Sequence, residues 1–118
     1  MDSSSRRLER RRVTRQLLPW TCFCSFQVQG SEGTLPQEGE GELFDLSIMG
    51  CRFSTDSRII VGEDVALILL LMDGRKPLHV GHAEVRWVKN GFVGLVFRHI
   101  PPGDESQLSE SLQLFAAR

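Results

Sequence analysis

From Trp20 to Val28 the chain alternates. Trp20, Cys22, Cys24, Phe26 and Val28 fall on one side; Thr21, Ser25, Gln27 and Gln29 fall on the other, with Phe23 the exception. Successive side chains of a strand point to opposite faces, so this segment buries one face and wets the other. A lone half-buried strand is not stable and needs partners. The rest of the sequence offers them. Gly30–Gly41, with four glycines, a proline and three glutamates, reads as a solvated hairpin loop. Glu42–Ser47 is a second short strand, Ile48-Met49-Gly50 a bulge or turn, and Cys51–Ser54 continues extended. Val65–Met72 is a continuous apolar strand, long enough to cross a barrel interior. Asp73-Gly74 is the strongest hairpin signal, Pro77–Val88 returns, Asn90-Gly91 turns again and Phe92–Arg98 pairs back.

Pro101-Pro102-Gly103 halts extension, and Asp104 is the expected N-cap of a helix over about 102–117 whose stripe is Leu108, Leu112 and Phe115, with Leu114 beside it. So short a helix must dock through that stripe. The expected fold is mainly all-β: a small closed six-stranded antiparallel barrel over 17–118 with a C-terminal helix. A chain of 118 residues holds one such core.

Residues 1–16 differ in kind. They carry six arginines against Asp2 and Glu9, a balance of +4, while the remainder carries eight basic and thirteen acidic residues, a balance of −5. With no apolar face to bury, this segment is expected to be a flexible arm. Arg10-Arg11-Arg12-Val13-Thr14-Arg15 is a set of guanidinium forks suited to phosphate and to the guanine edge. Asp45-Leu46-Ser47-Ile48-Met49-Gly50 supplies acceptors, a hydroxyl and close backbone approach. Together they read as a receptor for a small anionic nucleotide.

The two motifs, R-x-x-x-R filled by Arg11 and Arg15 and D-x-S-x-x-G filled by Asp45, Ser47 and Gly50, resemble the signature of the PilZ domain family. Ala83-x-Val85-x-Trp87 followed by Gly94-Leu95-Val96-Phe97 looks like the last hairpin of that fold, and Pro101–Arg118 like its C-terminal helix. The resemblance implies a PilZ barrel and a bacterial receptor for cyclic di-GMP. Arg11 and Arg15 would then grip phosphate and guanine, Asp45 and Ser47 would hydrogen-bond the ligand from the barrel, and Gly50 would keep a side chain out of its way. Arg10 occupies the position that in the family accompanies an intercalated pair of ligands, and Arg12 adds a further cation. Trp87 lies where some members stack a tryptophan on guanine; the alternation Ala83, Val85, Trp87 equally fits a barrel-core residue. Ordering of the arm around the ligand would create a surface for a downstream protein.

Other readings compete. A basic arm on a small barrel can bind nucleic acid, but the acidic body would repel a long phosphate backbone. The fold can also serve as a protein-interaction module without ligand. Asp45 and Ser47 can simply close a turn through bonds to their own backbone. No catalytic arrangement, cofactor or metal set is evident: His79 and His82, three apart on one strand, are expected on opposite faces. The longest apolar run, eight residues, cannot span a bilayer. The N-terminus lacks the apolar core of a signal peptide, and three cysteines fit a reducing compartment, so a cytoplasmic location is expected. The sequence does not fix the oligomeric state; a monomer or weak dimer is the expectation.

Overall fold

The computed structural model describes residues 16–29 and 37–117. Six strands form a closed antiparallel barrel: β1 Gln16–Val28, β2 Gln37–Leu46, β3 Gly50–Ser54, β4 Asp64–Leu70, β5 Leu78–Lys89 and β6 Phe92–His99, arranged in the order β1-β2-β3-β6-β5-β4. One helix, α1 Pro102–Ala116, follows. The expected architecture is the observed one.

Alternation builds the core. Cys22, Cys24, Phe26 and Val28 of β1 are buried, and Leu69, Leu67 and Val65 of the neighbouring strand β4 pair with Cys24, Phe26 and Val28 and are buried beside them. The three cysteines are free and buried. Burial pushes the thiol of Cys22 up to about 11, with Asp73 adding to it, and that of Cys24 up to about 12; Cys51 is raised too. These thiols pack as small apolar groups.

β2 begins at Gln37, so the last five residues of the stretch expected as a loop, Gln37–Gly41, are strand. Its glycines are there for packing. A Cβ at Gly39 would overlap the Phe26 ring, and one at Gly41 would overlap the Ser54 carbonyl and crowd the Phe53 ring. Phe26 and Phe53 stack with centroids 5.4 Å apart, and the bare backbone of β2 leaves room for them. Composition alone does not separate a flexible glycine from one that admits a neighbouring ring. β1 also starts earlier than the alternation, at Gln16, with an irregular register between Leu17 and Cys22; Pro19, which has no N–H to donate, lies inside it.

The turns divide by length. Asn90 (φ 53°) and Gly91 (φ 80°) form a two-residue hairpin between β5 and β6. Asp73-Gly74 sits instead in a longer connection between β4 and β5, where the Asp73 carboxylate accepts the Ser111 hydroxyl at 2.8 Å and so ties the connection to α1. Asp104 is not an N-cap: Pro101 holds that position without a side-chain cap, and Asp104 accepts the His79 backbone N–H at 2.7 Å. The buried face of α1 is Leu108, Ser111 and Phe115, with Leu112 half-buried and Leu114 exposed. Phe115 meets Trp20 edge to face at 5.5 Å, and the Trp20 indole donates to the Leu71 carbonyl.

His79 and His82 are both exposed, contrary to expectation. A bulge sets Ala66 of β4 against two residues of β5 and restores the outward face for His82, which meets Asp64 at 3.0 Å. Among the described residues no helix is long and apolar enough to cross a membrane.

Candidate functional site

In a closed antiparallel barrel the chain reverses ends at every strand. The root of β1, the β2–β3 turn, the β4–β5 connection and the end of β6 therefore share one end, and the remaining connections share the other. Register fixes this in detail: Gln16 pairs with Leu46, and Leu17 with Asp45. The first described residue, Gln16, therefore lies at the edge of the Asp45–Gly50 turn. Arg10, Arg11, Arg12 and Arg15 themselves lie outside the described residues.

The turn is closed by Ser47. Its Oγ accepts the backbone N–H groups of Met49 (3.0 Å) and Gly50 (3.2 Å), while its own N–H donates to the Gly50 carbonyl at 2.9 Å. Ser47 is buried, and Ile48 and Met49 are carried outward at the tip. This is side-chain capping of a turn. Gly50 is set by packing: a Cβ there would overlap the Leu95 carbonyl of β6, so β3 and β6 approach as closely as they do only because this residue has none. A need for clearance toward β6 was not apparent from the motif.

Asp45 behaves differently from Ser47. It makes no bond to its own turn but meets Arg52, whose Nε lies 2.9 Å from Oδ2. Asp45 is 7% exposed, and its Oδ1 has no hydrogen-bond partner among the described residues. The Arg52 guanidinium is held over Phe92 (5.3 Å to the ring centroid) and Phe44 (5.8 Å), and these two rings meet at 5.2 Å.

Directly opposed residues of antiparallel strands share a face. Asp45 pairs with Arg52, Arg52 with Gly94, and Gly94 with Trp87. The four form one row on the outer face of the barrel, across β2, β3, β6 and β5, spanning about 14 Å at three interstrand spacings. Trp87 is half-exposed and stands outside the core. An irregularity between Val85 and Trp87 breaks the alternation and turns the indole outward, where it rests on Gly94. The core alternative for Trp87 is thereby excluded. A separate depression of about 590 Å³ lies over β1, β2, β4 and β5, lined by Gln27, Glu38, Ile68, His79 and Gly81 among others, and shares no residue with this row.

Arg52 went unnoticed in the sequence. The signal was present: a lone cation between Cys51 and Phe53, both inward, must face out beside the Asp45 motif.

The PilZ domain family model matches residues 5–114. The chain belongs to the PilZ domain family. Among solved structures, the PilZ barrel is similar to that of YcgR from Escherichia coli, described in complex with c-di-GMP. Their TM-score is 0.71 at 18% identity, covering 92% of this chain and 46% of that one. The isolated YcgR PilZ domain with c-di-GMP gives a TM-score of 0.66 at 20% identity, with 92% of each chain covered. The PilZ domain of CeSA from a cellulose-synthesizing bacterium gives 0.54 at 19% identity, covering 82% of this chain and 92% of that one. The chain thus spans about half the length of the YcgR chain, and at these identities the likeness speaks for the fold. Among curated proteins, no sequence matches this one.

Proposed function

We propose that this chain is a bacterial, cytoplasmic receptor for cyclic di-GMP. The ligand is gripped between the arm residues Arg10, Arg11, Arg12 and Arg15 and the barrel residues Asp45, Ser47, Gly50 and Trp87. The observation that supports the reading is the pairing of Gln16 with Leu46 and of Leu17 with Asp45, which sets the residue following Arg15 in the sequence beside the second motif. Had the arm entered at the other end, the two motifs would have been separated by the length of the barrel. PilZ membership and the c-di-GMP described in the YcgR structures point to the same ligand.

The chemistry is consistent with the residues. A carboxylate accepts from the guanine N1–H and N2–H₂ edge, and an arginine fork donates to O6 and N7 for about 1–3 kcal/mol of discrimination. The half-exposed indole of Trp87 offers a stacking face. Ser47 acts mainly by shaping the turn. Arg10 recruits a second ligand molecule, so that an intercalated pair binds. Ordering about ten arm residues costs at most roughly 1–2 kcal/mol each, so several charge-assisted contacts are required, and four arginines provide them. The ordered arm closes over the barrel and presents a new surface to a downstream protein.

Calorimetry with cyclic di-GMP tests this. Micromolar or tighter binding at two ligands per chain, lost in Arg11→Ala and in Arg15→Ala, is the expected result. A ratio near one removes the role given to Arg10. Length-dependent binding of any polynucleotide with a steep salt slope would instead favour a nucleic-acid module, and no binding of either would favour a protein-interaction module.

A further inference from the structure

Between Asp45 and Trp87 the outer row holds a residue to which the family motif gives no role. Arg52 lies within ion-pair distance of Asp45, yet the two groups are misaligned for a hydrogen bond: Arg52 Nε is left without an acceptor and Asp45 Oδ1 without a donor among the described residues. Both atoms are buried, and unfilled buried polar groups are rare because each forfeits its hydration. The guanidinium plane is fixed by Phe92 and Phe44, so it cannot swing freely to correct the misalignment.

We infer that Arg52 is a positioning and specificity-determining residue of the cyclic di-GMP site, holding the Asp45 carboxylate charge-compensated with Oδ1 free for the guanine edge. The inference rests on the proposed function. Two physical requirements support it. First, cyclic di-GMP carries two negative phosphates, and a bare buried carboxylate beside them would repel the ligand; Arg52 makes the pair neutral. Second, an acceptor discriminates guanine only when its lone pairs are aimed. Guanine offers N1–H and N2–H₂ donors to Oδ1, whereas adenine offers a lone pair at N1, which a fixed carboxylate repels. If Asp45 were free to turn, it would select less well.

The test is calorimetric titration of the full chain with cyclic di-GMP and with cyclic di-AMP, on the wild type, R52A, R52K, D45A and the double variant. R52A is expected to weaken cyclic di-GMP binding about tenfold and to erode the preference for guanine over adenine by a similar factor. In the D45A background, removal of Arg52 should change affinity by less than about twofold, because the effect runs through the carboxylate. A merely structural arginine would lower the melting temperature while leaving the guanine preference intact in every variant, which overturns the inference. Should R52A not fold, R52K decides: it keeps the charge but not the stacked plane, so lost selectivity supports the inference and wild-type selectivity overturns it. A wild-type protein that binds neither dinucleotide overturns the proposed function and this inference together. One that binds cyclic di-GMP with R52A unchanged overturns this inference alone.

Discussion

The indole of Trp87 lies directly on the backbone of Gly94, so closely that a Cβ on Gly94 would overlap Nε1 and Cε2 of the ring. The glycine is the seat on which a half-exposed aromatic rests on the outer face. Because the obstacle is a side chain with room to move toward solvent, Gly94→Ala should cost only about 1 kcal/mol of stability while displacing the indole. The chain has two tryptophans. In a Trp20→Phe background the emission of Trp87 should therefore shift on Gly94→Ala, and unchanged emission would show that the ring does not sit there.

Gly50 makes the opposite case. Its missing Cβ would overlap the Leu95 carbonyl, a backbone atom fixed in the β3–β6 ladder. Gly50→Ala should therefore cost about 3 kcal/mol, read as a lower urea midpoint, because neither strand can retreat without losing ladder bonds.

The cysteine thiols predict a pH dependence. The unfolded chain titrates them near 9.0, whereas in the fold burial holds Cys22 at about 11 and Cys24 at about 12. Folding keeps protons on sulfur, so this contribution is complete below pH 9 and is lost as pH rises through the folded values. Urea melts under reducing conditions should show lower stability at about pH 10.5 than at about pH 8. At the lower pH a thiol reagent should label the native protein far more slowly than the unfolded one.

Asp104 ties α1 to the start of β5 by accepting the His79 N–H. Asp104→Ala leaves that donor to water and should cost about 1 kcal/mol, whereas Asp104→Asn, which keeps an acceptor oxygen, should lose less. Equal losses, measured by thermal unfolding, would mean that charge near the helix start matters more than this bond.

Much of the barrel was legible in the sequence because period-two burial is a local property. Cys22 to Val28, Val65 to Leu71 and the Asn90-Gly91 turn each announce their conformation within a few residues. What misled was composition read without neighbours. Gly39 and Gly41 resemble a loop until Phe26 and Phe53 are placed against them. Trp87 and His82 depart from the side that counting assigns because a bulge slips the register by one residue, and the partner strand alone determines where that slip falls. Asp104 resembles a cap until His79 lies within its reach.

The same division runs through the site. The types and order of its motif residues are sequence properties: guanidinium forks before the barrel, and a carboxylate, a hydroxyl and a glycine at fixed spacing within one turn. Their surroundings are not. Barrel closure brings the root of the arm to Asp45 and sets Arg52 and Trp87 in one row with it, from strands that lie far apart along the chain. Hydrogen-bonded register between such strands depends on every side chain that fills the interior, so only the folded molecule decides which carboxylate meets which cation.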